Sequence, residues 1–101
     1  MTKPATFLDV VWYDDWKRSY AALSVEEQRA CDSAVRSLIE QEVSSGLRIQ
    51  PILPGKYYLE ARATSGDRII FRAAGGTIFA IDIVTHDDVA RYGRRPKGRA
   101  S

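Results

Sequence analysis

The sequence has little of the chemistry that marks several large classes of protein. Its single cysteine, Cys31, excludes an internal disulfide, and a reducing cytoplasm is the expected compartment. It has one histidine and no residue pair at a zinc-ligand spacing, so neither a metal nor another cofactor is expected. No apolar run approaches the roughly 20 residues that span a bilayer, and the first residues have no apolar core of a secretory signal. We therefore expect no membrane association.

The length of the chain and the distribution of its charges indicate one domain with a basic second half. A chain of 101 residues, 45% of them hydrophobic, predicts one domain over residues 1–101 with one small core. Up to Gly46 there are five Lys and Arg against eight Asp and Glu, and from Leu47 onward there are ten against five. The basic second half favours an anionic partner, either nucleic acid or an acidic protein segment. A solvated charged surface explains the same asymmetry equally well.

The first half of the chain predicts a strand and two helices. A short apolar run at Thr6–Val11 is typical of an edge strand, and Asp14 is placed to cap a first helix. Ser24 followed by Glu27 forms a capping box for a second helix, which should run from Val25 to about Ser45 and end at Gly46. The helical stripes predict burial of a set of residues on one side of this αα-hairpin: Trp16, Tyr20, Leu23, Cys31, Ala34, Val35, Leu38 and Glu42.

The second half predicts a small sheet. Leu47–Gly55 contains two prolines and is predicted to be a connector. Three strand-like runs follow, with a tight turn at Gly75-Gly76: Tyr57–Ala63, Arg68–Ala73 and Thr77–Val84. The last run is the most apolar and is predicted to be central and buried, apart from Asp82. Thr85 and Asp88 should cap a final helical turn that ends at Gly93, and residues 93–101 form a basic tail.

These elements predict an α+β fold, in which the αα-hairpin packs on one face of a mostly antiparallel sheet. The other face would carry arginines and would be open to a ligand. Arg62, Arg68 and Arg72, with His86 at the exit of the last strand, have the chemistry that RNA cleavage needs: cationic donors for a phosphorane and a group that titrates near neutrality. A structural histidine and a solvated arginine face are the alternative interpretation.

The order of these motifs resembles the RelE/ParE toxin superfamily of type II toxin–antitoxin systems, closest to its RelE-like branch. The matching segments cover most of the chain: Gly46-Leu47, Gly55–Arg62, Asp67–Arg72, Gly76, Ile78–Val84 and His86-Asp87. The sequence departs from RelE where Tyr58 and Glu60 replace lysines of the first meander strand, and where Asp87 and Asp88 follow the last strand.

The resemblance implies a cytoplasmic, metal-independent mRNA endonuclease that acts on the ribosome and is neutralised by an antitoxin. It places the phosphate-stabilising arginine at Arg68 and the general acid at His86, and Glu60 is a candidate base in place of a lysine. Candidate RNA-binding residues are Lys56, Arg62, Arg72, Tyr92, Arg94 and Arg95. Two other functions stay open: inhibition of DNA gyrase, as by ParE, and a non-catalytic binding module with this fold.

Overall fold

The computed structural model describes residues 9–40 and 47–94, which form one five-stranded sheet with two α-helices and a 3₁₀ helix. The elements in chain order are β1 (Asp9–Trp12), α1 (Asp14–Ala21), α2 (Val25–Ile39), β2 (Gln50–Pro51), β3 (Leu59–Arg62), β4 (Asp67–Ala74), β5 (Thr77–Thr85) and the 3₁₀ helix His86–Tyr92. The strand order is β1-β5-β4-β3-β2, with β1 parallel to β5 and all other pairs antiparallel. The predicted α+β class is confirmed. Within the described residues, no helix has the length and apolar character needed to cross a membrane.

The first strand lies at the sheet edge, as predicted, and leads directly into α1. Tyr13 is the N-cap of that helix, and its carbonyl accepts a hydrogen bond from the amide of Lys17 at 3.1 Å. The predicted cap, Asp14, is instead the first helical residue, where its charge interacts favourably with the helix dipole. The prediction failed because the chain leaves β1 so tightly that an extended Tyr13 already occupies the cap position.

The second helix begins with the predicted capping box. The Glu27 amide donates to Ser24 Oγ at 3.1 Å, and the Ser24 amide donates to Glu27 Oε1 at 3.0 Å. The helix ends at Ile39 with Glu40 as its C-cap, so the prediction that it continues to about Ser45 is wrong in length. The predicted stop at Gly46 lies outside the described residues.

The hairpin of β4 and β5 is the middle of the sheet. Its turn holds Gly75 and Gly76 at φ values of 57° and 79°, a conformation that favours glycine and confirms the predicted tight turn. The strand in the third, central position is β4 rather than β5, because the parallel β1 adds a neighbour on the far side of β5. A bulge shifts the β4–β5 pairing after Ile70. Asp82 of β5 is only 5% exposed, so the expectation that Asp82 escapes burial is wrong.

The helices cover one face of this sheet with the main hydrophobic core. The predicted stripe of α2 is buried there: Cys31, Ala34, Val35 and Leu38. From the sheet, Ile69 and Phe71 of β4 pack against it together with Ile83 of β5. Trp16 of α1 is also buried, with Tyr20 and Leu23 partly buried beside it. The predicted stripe is therefore correct over the described residues, and Glu42 lies outside them.

The opposite sheet face is less open than predicted, because a second apolar cluster occupies its middle. Ile70 and Ile81 of the sheet are buried there with Ile52 and Tyr58 of the connecting segment. The 3₁₀ helix packs on top with Val89 and Tyr92. The predicted capping box at its start is absent, since Thr85 is the N-cap but makes no capping hydrogen bond through its side chain.

Two short features close this second face. The predicted connector contains β2, a two-residue edge strand in which Pro51 is tolerated because an edge strand has one unpaired side. Gly93 ends the 3₁₀ helix as predicted, and its carbonyl accepts from the amide of Gly55 at 2.7 Å. A Cβ at Gly93 would lie 2.5 Å from the carbonyl oxygen of Leu53, so only glycine allows this close approach.

Candidate active site

A cleft of about 520 Å³ opens on the second sheet face, between β2, β3, β4 and the start of the 3₁₀ helix. It is lined by Arg48, Gln50, Pro51, Ile52, Leu53, Glu60, Arg62, Arg68, His86, Val89 and Ala90. Three guanidinium groups and one carboxylate give the cleft a net positive charge. The three residues predicted to be catalytic, Arg68, His86 and Glu60, all lie in this lining, together with one of the predicted RNA-binding residues, Arg62.

Arg68 is held in place by its surroundings. Its Nη1 donates to the carbonyl oxygens of Thr64 and Ser65 at 3.0 and 3.1 Å, and to that of Asp67 at 3.3 Å. Its Nε lies 3.8 Å from Oε1 of Glu60, and both side chains are only 13% exposed. Arg68 therefore stabilises the turn between β3 and β4, and its side chain also lines the cleft.

Glu60 has two polar partners, an ion-pair partner and a hydrogen-bond donor. Besides the Arg68 guanidinium, Nε2 of Gln50 donates to its Oε2 at 3.0 Å across the β2–β3 pair. The antiparallel register places Glu60 opposite Ile70 and Arg62 opposite Arg68, so Glu60, Arg62 and Arg68 share this face. The register that sequence could not give thus brings two of the three strand arginines together.

Arg62 and Arg48 carry the two guanidinium groups of the cleft lining that have no partner among the described residues. Neither guanidinium makes a hydrogen bond or ion pair with any of the residues at 9–40 and 47–94. A planar fork of donors that is free of internal partners is suited to bind a phosphate or carboxylate from outside. Arg62 and Arg48 are thus the groups in the cleft most available to an anion.

His86 stands at the rim, where the chain leaves β5. Its amide donates to the carbonyl oxygen of Gly66 at 2.9 Å, which ties the rim to the turn that Arg68 also holds. Its side chain is 68% exposed, and its Nδ1 lies 3.4 Å from Oδ1 of Asp87. Because both side chains are exposed, that contact contributes little to stability. Asp87 and Asp88 are exposed and do not line the cleft.

The other predicted RNA-binding residues lie away from the cleft lining. Lys56 is exposed in the loop before β3, and Arg94 is exposed after the 3₁₀ helix. The Arg72 guanidinium stacks over the Tyr57 ring at 4.2 Å. Arg95 lies outside the described residues.

Tyr92 has a structural partner. Its hydroxyl donates to Oδ2 of Asp82 at 2.5 Å, and its ring meets that of Tyr58 edge to face at 5.3 Å. Asp82 also accepts from Ser19 Oγ of α1 at 2.6 Å and from the Ile83 amide at 2.7 Å. Burial and the Asp82 carboxylate raise the pKa of Tyr92 well above its ordinary value, so the hydroxyl keeps its proton near neutrality. Asp82 thereby joins α1 and the 3₁₀ helix to the sheet.

Sequence reasoning missed two polar lining residues, Arg48 and Gln50. The signal was present, because Leu47 and Ile49 alternate with them and both pack on the helix-side core. The two prolines nearby outweighed that period of two in the prediction of a connector. No group of three His, Cys, Asp or Glu residues with metal-binding geometry occurs among the described residues.

Comparison with known proteins places the fold. No protein-family profile and no curated protein matches the sequence. By structure, the chain is similar to YafQ from E. coli, with a TM-score of 0.69 and 10% identity over 81% of this chain and 97% of that one.

Two further solved structures agree with this result. The YoeB/ParE toxin from Agrobacterium tumefaciens gives a TM-score of 0.64 and 17% identity, covering 78% of this chain and 99% of that one. A chain of the RelB-RelE antitoxin-toxin complex from Methanococcus jannaschii gives a TM-score of 0.60 and 12% identity, covering 81% and 96%. The chain therefore has the RelE-like toxin fold, and the resemblance seen in the sequence is confirmed at the level of the fold.

Proposed function

We propose that the protein is the toxin of a type II toxin–antitoxin system, acting in the cytoplasm as a ribosome-dependent mRNA endonuclease. The observation that carries the proposal is that Arg62, Arg68, Glu60 and His86 line one cationic cleft. The likeness in fold to YafQ, YoeB/ParE and RelE toxins supports it.

The cleft has a group for each requirement of RNA cleavage by the adjacent 2′-hydroxyl. Glu60 takes the 2′-hydroxyl proton as O2′ attacks phosphorus, and His86 in its protonated form gives a proton to the leaving O5′. The products are a 2′,3′-cyclic phosphate and a 5′-hydroxyl. Arg62 binds the phosphate, and Arg68 stabilises the charge that develops on its oxygens. The pairing of Arg68 with Glu60 places base and phosphate donor side by side.

The proposed partner for neutralisation is an antitoxin with an acidic segment. Free guanidinium groups at Arg48 and Arg62 would attract such a segment into the cleft, where it would exclude RNA. The solved relatives include two toxins in complex with antitoxins, DinJ-YafQ and RelB-RelE.

The test is cleavage of a message in a cell-free translation reaction, with new ends mapped by primer extension. We expect cleavage by the wild-type protein only when ribosomes are present. His86→Ala should lower the rate by about 10²–10⁴-fold as a lost general acid, and Arg62→Ala by about 10²-fold as a lost phosphate donor. Arg29→Ala, at an exposed arginine of α2, is the matched control and should cleave normally. Intact message with the wild-type protein would exclude the endonuclease.

One observation favours the second candidate, a ParE-type inhibitor of DNA gyrase. Glu60 places a negative charge in the cleft, and Arg68 Nη1 is already committed to three carbonyl oxygens, which leaves less cationic capacity for a phosphate. A supercoiling assay with the same preparation distinguishes the two. Inhibition of gyrase together with intact message would establish the inhibitor.

A further inference from the structure

A row of aromatic residues with one arginine continues the cleft-bearing face of the sheet toward β1. We call the row formed by Tyr13, Phe79, Arg72 and Tyr57 the aromatic strip. Tyr13 meets Phe79 edge to face at 6.5 Å, Phe79 lies opposite Arg72 in the β4–β5 register, and Arg72 stacks over Tyr57 at 4.2 Å. Four segments of the chain therefore contribute to one continuous surface: the N-cap of α1, β5, β4 and the loop before β3.

The strip is accessible and carries unneutralised charge. Tyr13 is 44% exposed, while Phe79, Arg72 and Tyr57 are each partly exposed. Arg72 makes no ion pair with a carboxylate in the part of the chain that the structure describes. Aromatic faces interleaved with a stacked guanidinium are the surface that single-stranded nucleic acids use, because every base has a π face to stack.

The strip is also built in advance of any ligand. The Tyr13 amide donates to the Ala80 carbonyl at 3.0 Å and its carbonyl accepts from Lys17, so its backbone is held at both ends. Its side chain makes no capping bond to α1, so the ring is free to serve as a platform. A preformed platform binds without the cost of ordering a loop.

The strip lies on the same sheet face as the cleft, and the second apolar cluster around Ile70 lies between them. Arg72 lies four residues after Arg68 on the same strand and on the same face, which is about 13 Å at roughly 3.3 Å per residue. A few nucleotides cover that distance. We propose that the aromatic strip stacks the bases of single-stranded RNA that extends out of the cleft. The proposal rests on the proposed function, because that function is what places the RNA in the cleft and lets it extend toward the strip. The proposal itself concerns RNA binding rather than cleavage.

Fluorescence anisotropy with a labelled 12-nucleotide RNA tests this directly. The riboses are 2′-O-methylated, so that no 2′-hydroxyl can attack and only binding is measured. We expect Tyr13→Ala to weaken binding by about fivefold or more, the loss of one stacked base. Arg72→Gln should weaken binding and reduce the slope of log affinity against log salt by about 0.7. Trp12→Ala is the matched control, since Trp12 precedes Tyr13 in the chain and is 42% exposed, but it contacts Trp16 on the helix side.

An oligomer of the same length with abasic residues at every position separates stacking from charge. Wild type should bind it more weakly than the complete RNA, and Tyr13→Ala should cause no further loss. Circular dichroism of each variant establishes that it is folded, and Tyr13→Leu provides a second variant that keeps the apolar volume without the ring.

The outcomes are distinct. If Arg62→Ala weakens binding and Tyr13→Ala does not, the strip is not an RNA site, while the proposed function stands. If Tyr13→Ala weakens binding but no message is cut on ribosomes, the strip stands and the endonuclease fails. An absence of saturable binding by wild type overturns the strip. A change in sedimentation of Tyr13→Ala with unchanged RNA affinity would instead assign the strip to contact between two copies of the chain.

Discussion

The substitution Tyr92→Phe tests the contact that joins the 3₁₀ helix to the sheet. The Tyr92 hydroxyl donates to the Asp82 carboxylate at 2.5 Å, and that carboxylate is 5% exposed. A hydrogen bond to a charged acceptor contributes about 1.5–3 kcal/mol. Phenylalanine keeps the ring against Tyr58, so the hydroxyl alone is lost and Asp82 retains its bonds from Ser19 and Ile83.

We therefore expect a loss of about 2 kcal/mol in the free energy of unfolding, or about 8–16 °C in Tm for a domain of this size. Chemical denaturation followed by circular dichroism measures the first quantity, and a thermal melt measures the second. Tyr13→Phe is the matched control, because the Tyr13 hydroxyl makes no hydrogen bond to any described residue, and it should stay within about 0.5 kcal/mol of wild type.

A double-mutant cycle assigns the loss to the pair. In an Asp82→Asn background the additional cost of Tyr92→Phe should fall below about 1 kcal/mol, because the acceptor is no longer charged. A Tyr92→Phe protein as stable as wild type would refute the idea that Asp82 anchors the 3₁₀ helix. So would equal costs of Tyr92→Phe in the two backgrounds.

Two further predictions concern titration. Burial raises the pKa of the Asp67 carboxyl above its ordinary value of 3.8. The stability that proton binding by Asp67 contributes is therefore present below pH 3.8 and is lost as pH rises through the folded pKa. Asp67→Asn should gain in Tm relative to wild type as pH rises through this range, and a Tm difference that does not change with pH would contradict the argument. Cys31 is fully buried, and burial raises the pKa of its thiol to about 12. At pH 8 a disulfide reagent should therefore label the native protein roughly a thousandfold more slowly than it labels a free thiol. In denaturant the same reagent should label one thiol per chain. Rapid native labelling would show that α2 opens readily.

Sequence reasoning succeeded where one local rule acts alone. Ser24 and Glu27 form a capping box through bonds that span three residues, and Gly75 and Gly76 adopt the positive φ that a tight turn requires. The helix stripe around Cys31 was visible for the same reason, since its period of 3.6 residues is set by the helix itself. These features depend on neighbours in sequence.

The errors came from contacts that are distant in sequence. Asp82 resembles an exposed break in an apolar strand until Ser19 and Tyr92 supply its hydrogen bonds from 63 and 10 residues away. The central strand was misassigned because β1 joins β5 across most of the chain. For the site, sequence indicated the residue types but not that Arg62 shares a cleft with Arg48 and that Arg72 does not. Register and β2 decide that division, and neither can be read from composition.

The parallel pairing of β1 with β5 has a consequence for how the chain comes to fold during its synthesis. Asp9 pairs with Thr77, so 68 further residues must be synthesised after Asp9 before β1 can begin to pair with β5. At about 5–20 residues per second, that delay is roughly 3–14 s. The helical hairpin and the β3–β4 pair, whose contacts are local, can form during that time, whereas Val11 and Trp12 stay unpaired. Completion of β5 is thus the step that closes the sheet, and the nascent chain is most open to aggregation or to chaperones just before it.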